Sequence, residues 1–559
     1  MATIGIDLGT TNSSASIWKN DELIQVPNRL GSFITPSVIG VDDDQNIIIG
    51  SIAKERLISH PITTVSVFKR LMGSNHNITI GKINFSVPEL SSLIIKSLVE
   101  DAENLLGEKI TDAVISVPAY FNENQRAATK IAGELAGVSV RRLINEPTAA
   151  AIAYGLNDRQ QGTFMILDMG GGTFDVSILE YFEGVMEVHA SAGDNFLGGE
   201  DFVEVMVNSA LSELSISKEE LTAQQNHQLY MQMETIKKRI DKTNQENITI
   251  YYGDKEVQWE STLQWFEKII TPLLLRVKQP IQQALQDSQI HTNEIDEVIL
   301  VGGATRLKQF RTLVARLFGR LPSCNIDPDI VVSIGAGIQA GLIDKNKALD
   351  DIVLTDVCPY TLGTEVHNEG RGGFFPIIER NSVVPISVER PLVTVYDNQV
   401  EMTICVYQGE NRLVEHNVFL GELTVNVPRS PAGKEVVNIR YSYDMNGLLE
   451  VDATVVSTGK TFNKVIENAP GVLNKQALII AREKLAKLKF HPRENEVNRN
   501  LIAKGERIYQ TSIGEKREKI GHYISQFEMV LNDQNPQSIA KAQIKFAEIL
   551  NEFDTEDWI

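Results

Sequence analysis

Residues 5–12 read Gly-Ile-Asp-Leu-Gly-Thr-Thr-Asn, and residues 167–175 read Leu-Asp-Met-Gly-Gly-Gly-Thr-Phe-Asp. Each copy is an apolar strand, an aspartate and then a turn of Gly and Thr. Such a turn exposes backbone N–H groups that can cradle a phosphate, and Gly lets the backbone approach it closely. Asp7 and Asp168 stand where a carboxylate can hold a hydrated Mg²⁺ beside that phosphate. The matched pair restricts the chain to a fold in which two half-sites face one nucleotide. A pair of ordinary hairpin turns is the bland alternative, and the repeated order of strand, aspartate and turn argues against it.

Two further glycine pairs follow, Gly198-Gly199-Glu200-Asp201 and Gly302-Gly303-Ala304-Thr305-Arg306, the second after the apolar run 298–301. Alone, each marks a tight turn; beside the phosphate turns they are expected near the base of the nucleotide. Asp7, Asp168 and Asp175 are metal-shell candidates, with water filling most Mg²⁺ positions. Glu146 precedes Pro147 at a helix start, where a carboxylate either caps the helix or takes a catalytic role. Lys69 could bring its ammonium to a γ-phosphate; the bland reading is a solvated surface lysine.

The chain has 559 residues, enough for about three to four domains, and its formal charge of −20 argues against nucleic acid as a main partner. A strand expected at Thr3–Ile6 leaves no room for a signal peptide, and there is no apolar run of the ~18 residues a membrane span needs. Cys324, Cys358 and Cys405 lie far apart without metal-type spacing. They read as small core residues, and a reducing cytoplasm is the expected setting.

Up to about residue 347 strands and helices alternate, which is α/β in character. Strands are expected at 113–117, 164–167 and 298–301, and helices over 123–136 and from 147. Residues 348–356 read as a linker. From 357 to about 470 apolar and polar residues alternate strictly, as in Leu423, Val425 and Val427, or Leu449, Val451, Ala453 and Val455. That period of two predicts antiparallel strands with one wet face, joined at Asn446-Gly447 by a two-residue hairpin. From 471 the period becomes helical, with Asn474 as an N-cap. Leu478, Ala481, Leu485 and Leu488 form one stripe; Ile520, Tyr523, Ile524, Phe527 and Leu531 form another. Pro492 and Pro536 divide this tail into about three helices, and both stripes read as helix-bundle core.

The stretches at 6–12, 117–122, 144–150, 167–175 and 301–306 together resemble the nucleotide-domain signatures of the DnaK-type 70-kilodalton heat-shock chaperones. Within that family the HscC subfamily is the most similar, through residues 193–201, the linker ending Leu354-Thr-Asp-Val-Cys-Pro-Tyr360 and a chain short for the family. The resemblance implies a multidomain protein: an actin-like, ribonuclease-H-type two-lobed α/β ATPase domain, an antiparallel β-sandwich that binds peptides, and a short α-helical lid. ATP or ADP with Mg²⁺ are the implied cofactors, with K⁺ as a further candidate. Extended client peptides and a J-domain co-chaperone are the implied partners of a largely monomeric chain.

Residue by residue, the resemblance implies that Gly9, Thr10, Thr11 and Asn12 bind phosphates together with Gly170, Gly171, Gly172 and Thr173. Asp7, Glu146 and Asp168 would surround Mg²⁺ or its waters. Lys69 would orient the attacking water, and Thr173 would support the γ-phosphate. Gly199, Glu200, Glu234, Lys237, Lys238, Gly302, Gly303, Arg306 and Asp329 would line the nucleoside pocket. Asp241 and Ala304 stand there where the family usually has Ser; Asp241 can still accept a hydrogen bond, whereas Ala304 loses a polar contact of about 1 kcal/mol. Pro118 and Arg126 match the family's proline-switch pair. Val353, Leu354 and Asp356 match its coupling linker, with Thr355 where Leu is common, which should weaken docking of that linker. Thr364, Leu392, Val395, Met402 and Ile404 fall at positions of its peptide cleft, although spacing alone reads them as core.

Two other classes fit part of the chain. A sugar or acetate kinase on the same ATPase plan would need no linker, β-domain or lid, and an actin-like filament protein would leave the β-domain unexplained.

Overall fold

The computed structural model describes residues 2–158, 161–182, 185–323, 325–344, 353–368, 371–444, 447–466, 479–481, 483–485, 489–490, 496–512, 514–532 and 536–556. The strand Thr3–Asp7 is covered on both faces: Ile4 and Ile6 are fully buried on one, while Thr3 is buried on the other, where Gly5 lets the backbone of Gly337 approach closely. It runs antiparallel to Asn12–Lys19 and parallel to Asp112–Val117, which pairs in turn with Ser139–Asn145. A second sheet repeats this plan. Gly162–Met169 runs antiparallel to Phe174–Phe182 and parallel to Glu297–Val301. In each sheet the hairpin turn is the Gly-Thr motif, so the sequence repeat is a structural repeat of two lobes.

Helices cover the sheets: α1 (Ser51–Ser59), α2 (Val87–Leu106), α3 (Glu123–Ala136) and α4 (Glu146–Asp158) in the first half. In the second half come α5 (Gly199–Glu213), α6 (Ala223–Thr243), α7 (Leu263–Ser288), α8 (Lys308–Phe318) and α9 (Val331–Ile343). The start of α3 is fixed by reciprocal capping, in which Asn122 accepts from the Gln125 N–H at 3.0 Å and Gln125 accepts from the Asn122 N–H at 2.9 Å. Between the lobes α4 and α9 cross through small residues. A Cβ on Gly335 would lie 1.7 Å from the Ala149 carbonyl oxygen, so only Gly permits this approach. The crossing joins both sheets through one apolar cluster that includes Ile144, Ala149, Ile166, Val301 and Ala336.

Val353–Leu354 adds to the second lobe as a short edge strand, parallel to Val185–Asp194. Thr355 donates its N–H to the Met186 carbonyl at 3.0 Å. The linker is therefore seated on the lobe despite Thr355, because the backbone makes the contact. The earlier linker residues, 348–352, lie outside the described residues.

Beyond it two four-stranded antiparallel sheets face each other. One holds Leu362–Asn368, Arg371–Ile378, Glu401–Gln408 and Val418–Asn426; the other holds Ile386–Val393, Val436–Tyr443, Leu449–Val455 and Lys460–Ile466. Their inner faces form one core with Tyr441, Ile439, Val451, Ile404 and Met402. The turn expected to be a two-residue hairpin is wider: Tyr443 pairs with Leu449, leaving residues 444–448 between them. The Asp444 carboxylate accepts from the Leu448 N–H at 2.8 Å and stabilises this longer loop. Asn446 lies outside the described residues, whereas Gly447 adopts φ 79°.

The tail contains α10 (Glu496–Thr511), α11 (Gly514–Asn532) and α12 (Pro536–Glu556). Ile520, Ile524 and Phe527 pack with Leu501, Ile508, Phe546 and Leu550 as the expected bundle core. The first stripe behaves differently. Leu485 is buried in the core of the first lobe, with Val26, Leu90 and Leu93, rather than in the bundle. A helical period identifies a buried face but not what covers it. Leu478, Leu488, Asn474 and Pro492 fall outside the described residues.

Candidate functional site

The two phosphate turns face each other across a cavity of about 880 Å³ between the lobes. Gly171 and Gly172 of the second turn approach Thr11 and Thr10 of the first so closely that a Cβ on Gly171 would lie 2.5 Å from Thr11 Cγ2. The first turn is held in shape from behind: the Ser13 hydroxyl accepts from the Gly9 N–H at 3.1 Å, and Ser37 donates to the Gly9 carbonyl at 2.8 Å. The third turn sits on the second, with Gly199 and Glu200 N–H groups donating to Gly170 and Gly171 carbonyls, each at 2.9 Å. Gly9, Thr10, Thr11, Asn12, Gly170, Gly171, Thr173 and Gly199 all line the cavity.

Carboxylates crowd its floor. Asp7 accepts from the Ser116 hydroxyl at 2.9 Å, and burial followed by the charge of Glu146 pushes its pKa up to about 7. Asp168 is raised further by burial, with Glu146, Asp175 and Asp7 all adding to it. Asp175 is fully buried and pushed up to about 7 by the same causes; it accepts from the Tyr120 N–H at 2.9 Å and from the Thr173 side chain. Among the described residues Lys69 is the cation that answers them. Lys69 is 4 % exposed, donates to the Leu8 carbonyl, and reaches Glu146 Oε1 at 3.0 Å. It is therefore no solvated lysine, and Glu146 is an ion-pair partner as well as the first residue of α4.

Raised carboxylate pKa values mean that the protein alone under-compensates this negative charge, which suits a divalent cation. Among the described residues no three His, Cys, Asp or Glu side chains converge into a metal site of their own. The buried Asp7 and Asp168 carboxylates, with Glu146 beside them, are of a chemistry that fits Mg²⁺ held through its waters.

At the far end of the cavity Glu234 on α6 pairs with Lys237 at 2.5 Å and Lys238 at 2.9 Å. Burial pushes Glu234 up, but both lysines pull its carboxyl below the ordinary range. Lys237 also donates to the Gly199 carbonyl at 2.9 Å. Arg306 bridges Asp327 and Asp329 at 2.7 and 2.8 Å. Asp241 accepts from Gln309 at 2.8 Å, so part of its acceptor capacity is engaged by the protein itself. Glu200, pushed up to about 7 by burial and Glu234, and Ala304, Gly302 and Gly303 complete this end.

Gly302 adopts φ 81°, and a Cβ there would lie 2.5 Å from the Met169 carbonyl oxygen. Gly302→Ala is expected to cost about 3 kcal/mol from strain plus clash and to weaken nucleotide binding, as read by calorimetric titration with ADP.

Arg70 belongs to no motif of the sequence, yet it clamps the turns together. It pairs with Asp201, with one contact at 3.2 Å, and donates to the Gly172 carbonyl at 3.1 Å. Its neighbour Lys69 was the only signal; Asp201 lies 131 residues away.

The lobes are hydrogen-bonded to the linker and to the sandwich. Arg126 on α3 donates to the Ala119 and Phe121 carbonyls, each at 3.1 Å, and so ties down the turn that follows Pro118. It also donates to Asn145 Oδ1 at 2.7 Å, and Asn145 Nδ2 donates to Asp356 at 2.8 Å. Asp356 is thereby buried beside the residue that precedes Glu146. Further contacts join the lobes to the sandwich, among them Tyr443 donating to Glu123, Tyr360 donating to the Tyr120 carbonyl at 3.0 Å, and Arg380 forking onto Asp287 at 2.8 and 2.9 Å.

The peptide-cleft candidates divide by exposure. Thr364, Met402 and Ile404 are buried, with the Thr364 hydroxyl donating to the Cys405 carbonyl at 2.8 Å. Leu392 is half-buried, whereas Val395 is exposed beside exposed Val393, Tyr396 and Val400.

A profile of the Hsp70 protein family matches residues 3–80 and 75–556. The chain belongs to the Hsp70 family. Hsp70 proteins are ATP-dependent chaperones; they are ATPases that use ATP or ADP with Mg²⁺. In this Hsp70 the paired turns, the carboxylate floor and the Lys69–Glu146 pair stand together around one cavity.

Proposed function

We propose that this chain binds and releases extended apolar segments of client proteins in an allosteric cycle driven by ATP hydrolysis, with a specialised client range of the HscC kind. On this reading residues 1–347 are the actin-like ATPase domain, 348–356 the linker, 357–470 the peptide-binding sandwich and 471–559 the lid. Work in the cytoplasm with a J-domain partner belongs to the same proposal.

Backbone N–H groups of the two turns, with the Thr10, Thr11 and Thr173 side chains, would hold the phosphates. Asp7 and Asp168 would fix the waters of Mg²⁺, which when bound supplies charge neutralisation on the phosphates. Lys69, held by Glu146, would orient the attacking water without acting as a base. The far end of the cavity, from Glu234 to Arg306, would take the nucleoside.

The hydrogen-bonded path from Arg126 through Asn145 to Asp356 carries this reading. It connects the helix start beside the carboxylate floor to the linker and thence to the sandwich, and a contact of this kind, made in one state and broken in the other, is what coupling needs. In the cleft, half-buried Leu392 and exposed Val395 would meet the peptide, with Met402 as a pliable floor beside Ile404; Thr364, buried and bonded to the Cys405 carbonyl, adds no free polar group there. Retention of an unfolded peptide in ADP and its elution by ATP tests the proposal. Turnover stimulated by a sugar and unaffected by peptide would refute it in favour of a kinase.

Glu123 adds a pH dependence to domain docking. It is buried against Tyr443, Gln408, Arg126, Asp444 and Cys358, and burial pushes its pKa from 4.5 up to about 7. A raised carboxyl favours the docked arrangement in its protonated form, so this contribution is fully present below pH 4.5 and lost as pH rises to about 7. Docking, followed by tryptophan or pair-label fluorescence, is expected to strengthen on acidification from pH 8 to 6. Glu123→Gln should flatten that dependence; an unchanged profile in the variant would contradict the assignment.

A further inference from the structure

The mouth of the nucleotide cleft lies between α1, which contributes Lys54 and Leu57, and α6, which contributes Asn226, His227, Tyr230 and Met231. The tail helix α10 packs against α1 and touches the start of α6. Arg507 Nε donates to Glu55 on α1 at 2.5 Å, with the two side chains 15 % and 21 % exposed. The same guanidinium forks onto Asp554 of α12 at 3.0 and 3.1 Å, which ties the contact to the rest of the bundle. One turn further on, Gln510 accepts from Gln224 at the start of α6, in the second lobe, at 3.3 Å. Among the described residues, further anchors hold the tail to the first lobe. Arg499 reaches buried Asp42 at 3.1 Å, Lys484 reaches Glu89 at 2.7 Å, and Lys489–Phe490 pairs with Asn46–Ile47.

From these contacts we infer that the tail, in this seat, is a strap across the nucleotide cleft that slows exchange of the nucleotide. A ligand held by the phosphate turns escapes past α1 and α6, and the lobes must part for it to do so. The strap resists that parting because it is fastened firmly to one side and touches the other. Binding and strapping are reciprocal: a nucleotide that draws α1 and α6 together favours the tail's seat, and whatever draws the tail away speeds exchange. This inference rests on the nucleotide reading of the cleft.

The test is release of a fluorescent, non-hydrolysable ATP analogue with Mg²⁺, chased by excess ATP in the full chain. Glu55→Lys, which leaves the bundle's own contacts intact, sets two cations against each other. It is expected to speed release about tenfold, the scale of one partly buried ion pair lost. Joining Gln224→Cys to Gln510→Cys with a short bismaleimide is expected to slow release on the order of tenfold below the unlinked protein. Release at the wild-type rate in both would overturn the strap while leaving nucleotide binding intact. Failure of the wild-type chain to bind the analogue would overturn the nucleotide reading, and the strap with it.

Discussion

Replacing Lys69 by Met is expected to lower ATP hydrolysis about a hundred- to a thousandfold while leaving nucleotide affinity within a few-fold of wild type. The ammonium is buried and held by the Leu8 carbonyl and by Glu146 at 3.0 Å, so it meets the cavity floor in one orientation. Met keeps the length and apolar stem but removes the charge and all three donors. Phosphate binding through the Gly-Thr turns does not use that charge in the ground state. The loss should therefore appear in single-turnover hydrolysis rather than in a binding titration. A Met variant that hydrolyses at the wild-type rate would remove Lys69 from the mechanism.

The paired Gly-Thr turns were legible because they are local: strand, aspartate and turn are consecutive, and each lobe builds its half alone. The helix 123–136 was legible for the same reason, since Asn122 and Gln125 cap it within one turn. Partnerships across long separations were not. Arg70 meets Asp201, Glu123 meets Tyr443, and Leu485 leaves the bundle for the first lobe. In each case the sequence shows a residue suited to burial or pairing and says nothing about its partner. The turn at 444–448 was misjudged because Asn-Gly is a strong local signal that the Asp444 side chain overrides by bridging to Leu448. Lys69 shows the converse: a lone lysine reads as surface until the fold buries it.

Arg126→Ala is expected to uncouple the domains. The guanidinium, 7 % exposed, satisfies two carbonyls and Asn145, which in turn satisfies Asp356. Its removal leaves those acceptors buried without partners, a cost of about 3 kcal/mol, or on the order of a hundredfold in the docked population. Asp356→Asn keeps the shape but turns an amide N–H towards either the Val357 N–H or the Asn145 amide donor, with a smaller effect of about tenfold. Neither residue touches the phosphate turns, so basal hydrolysis should survive in both. Equal acceleration of peptide release by ATP in Arg126→Ala and wild type would sink the coupling path.

The central claim is that nucleotide in the cleft controls peptide in the sandwich. Its most direct measurement is the dissociation rate of a fluorescent apolar peptide from the full chain, with ADP present and then after addition of Mg-ATP. The account predicts that ATP speeds dissociation at least about tenfold in the wild type, through a differential contact free energy of about 1.4 kcal/mol or more, and much less in Arg126→Ala. Dissociation that stays the same in ADP and ATP, in a chain that binds both nucleotides, would contradict it.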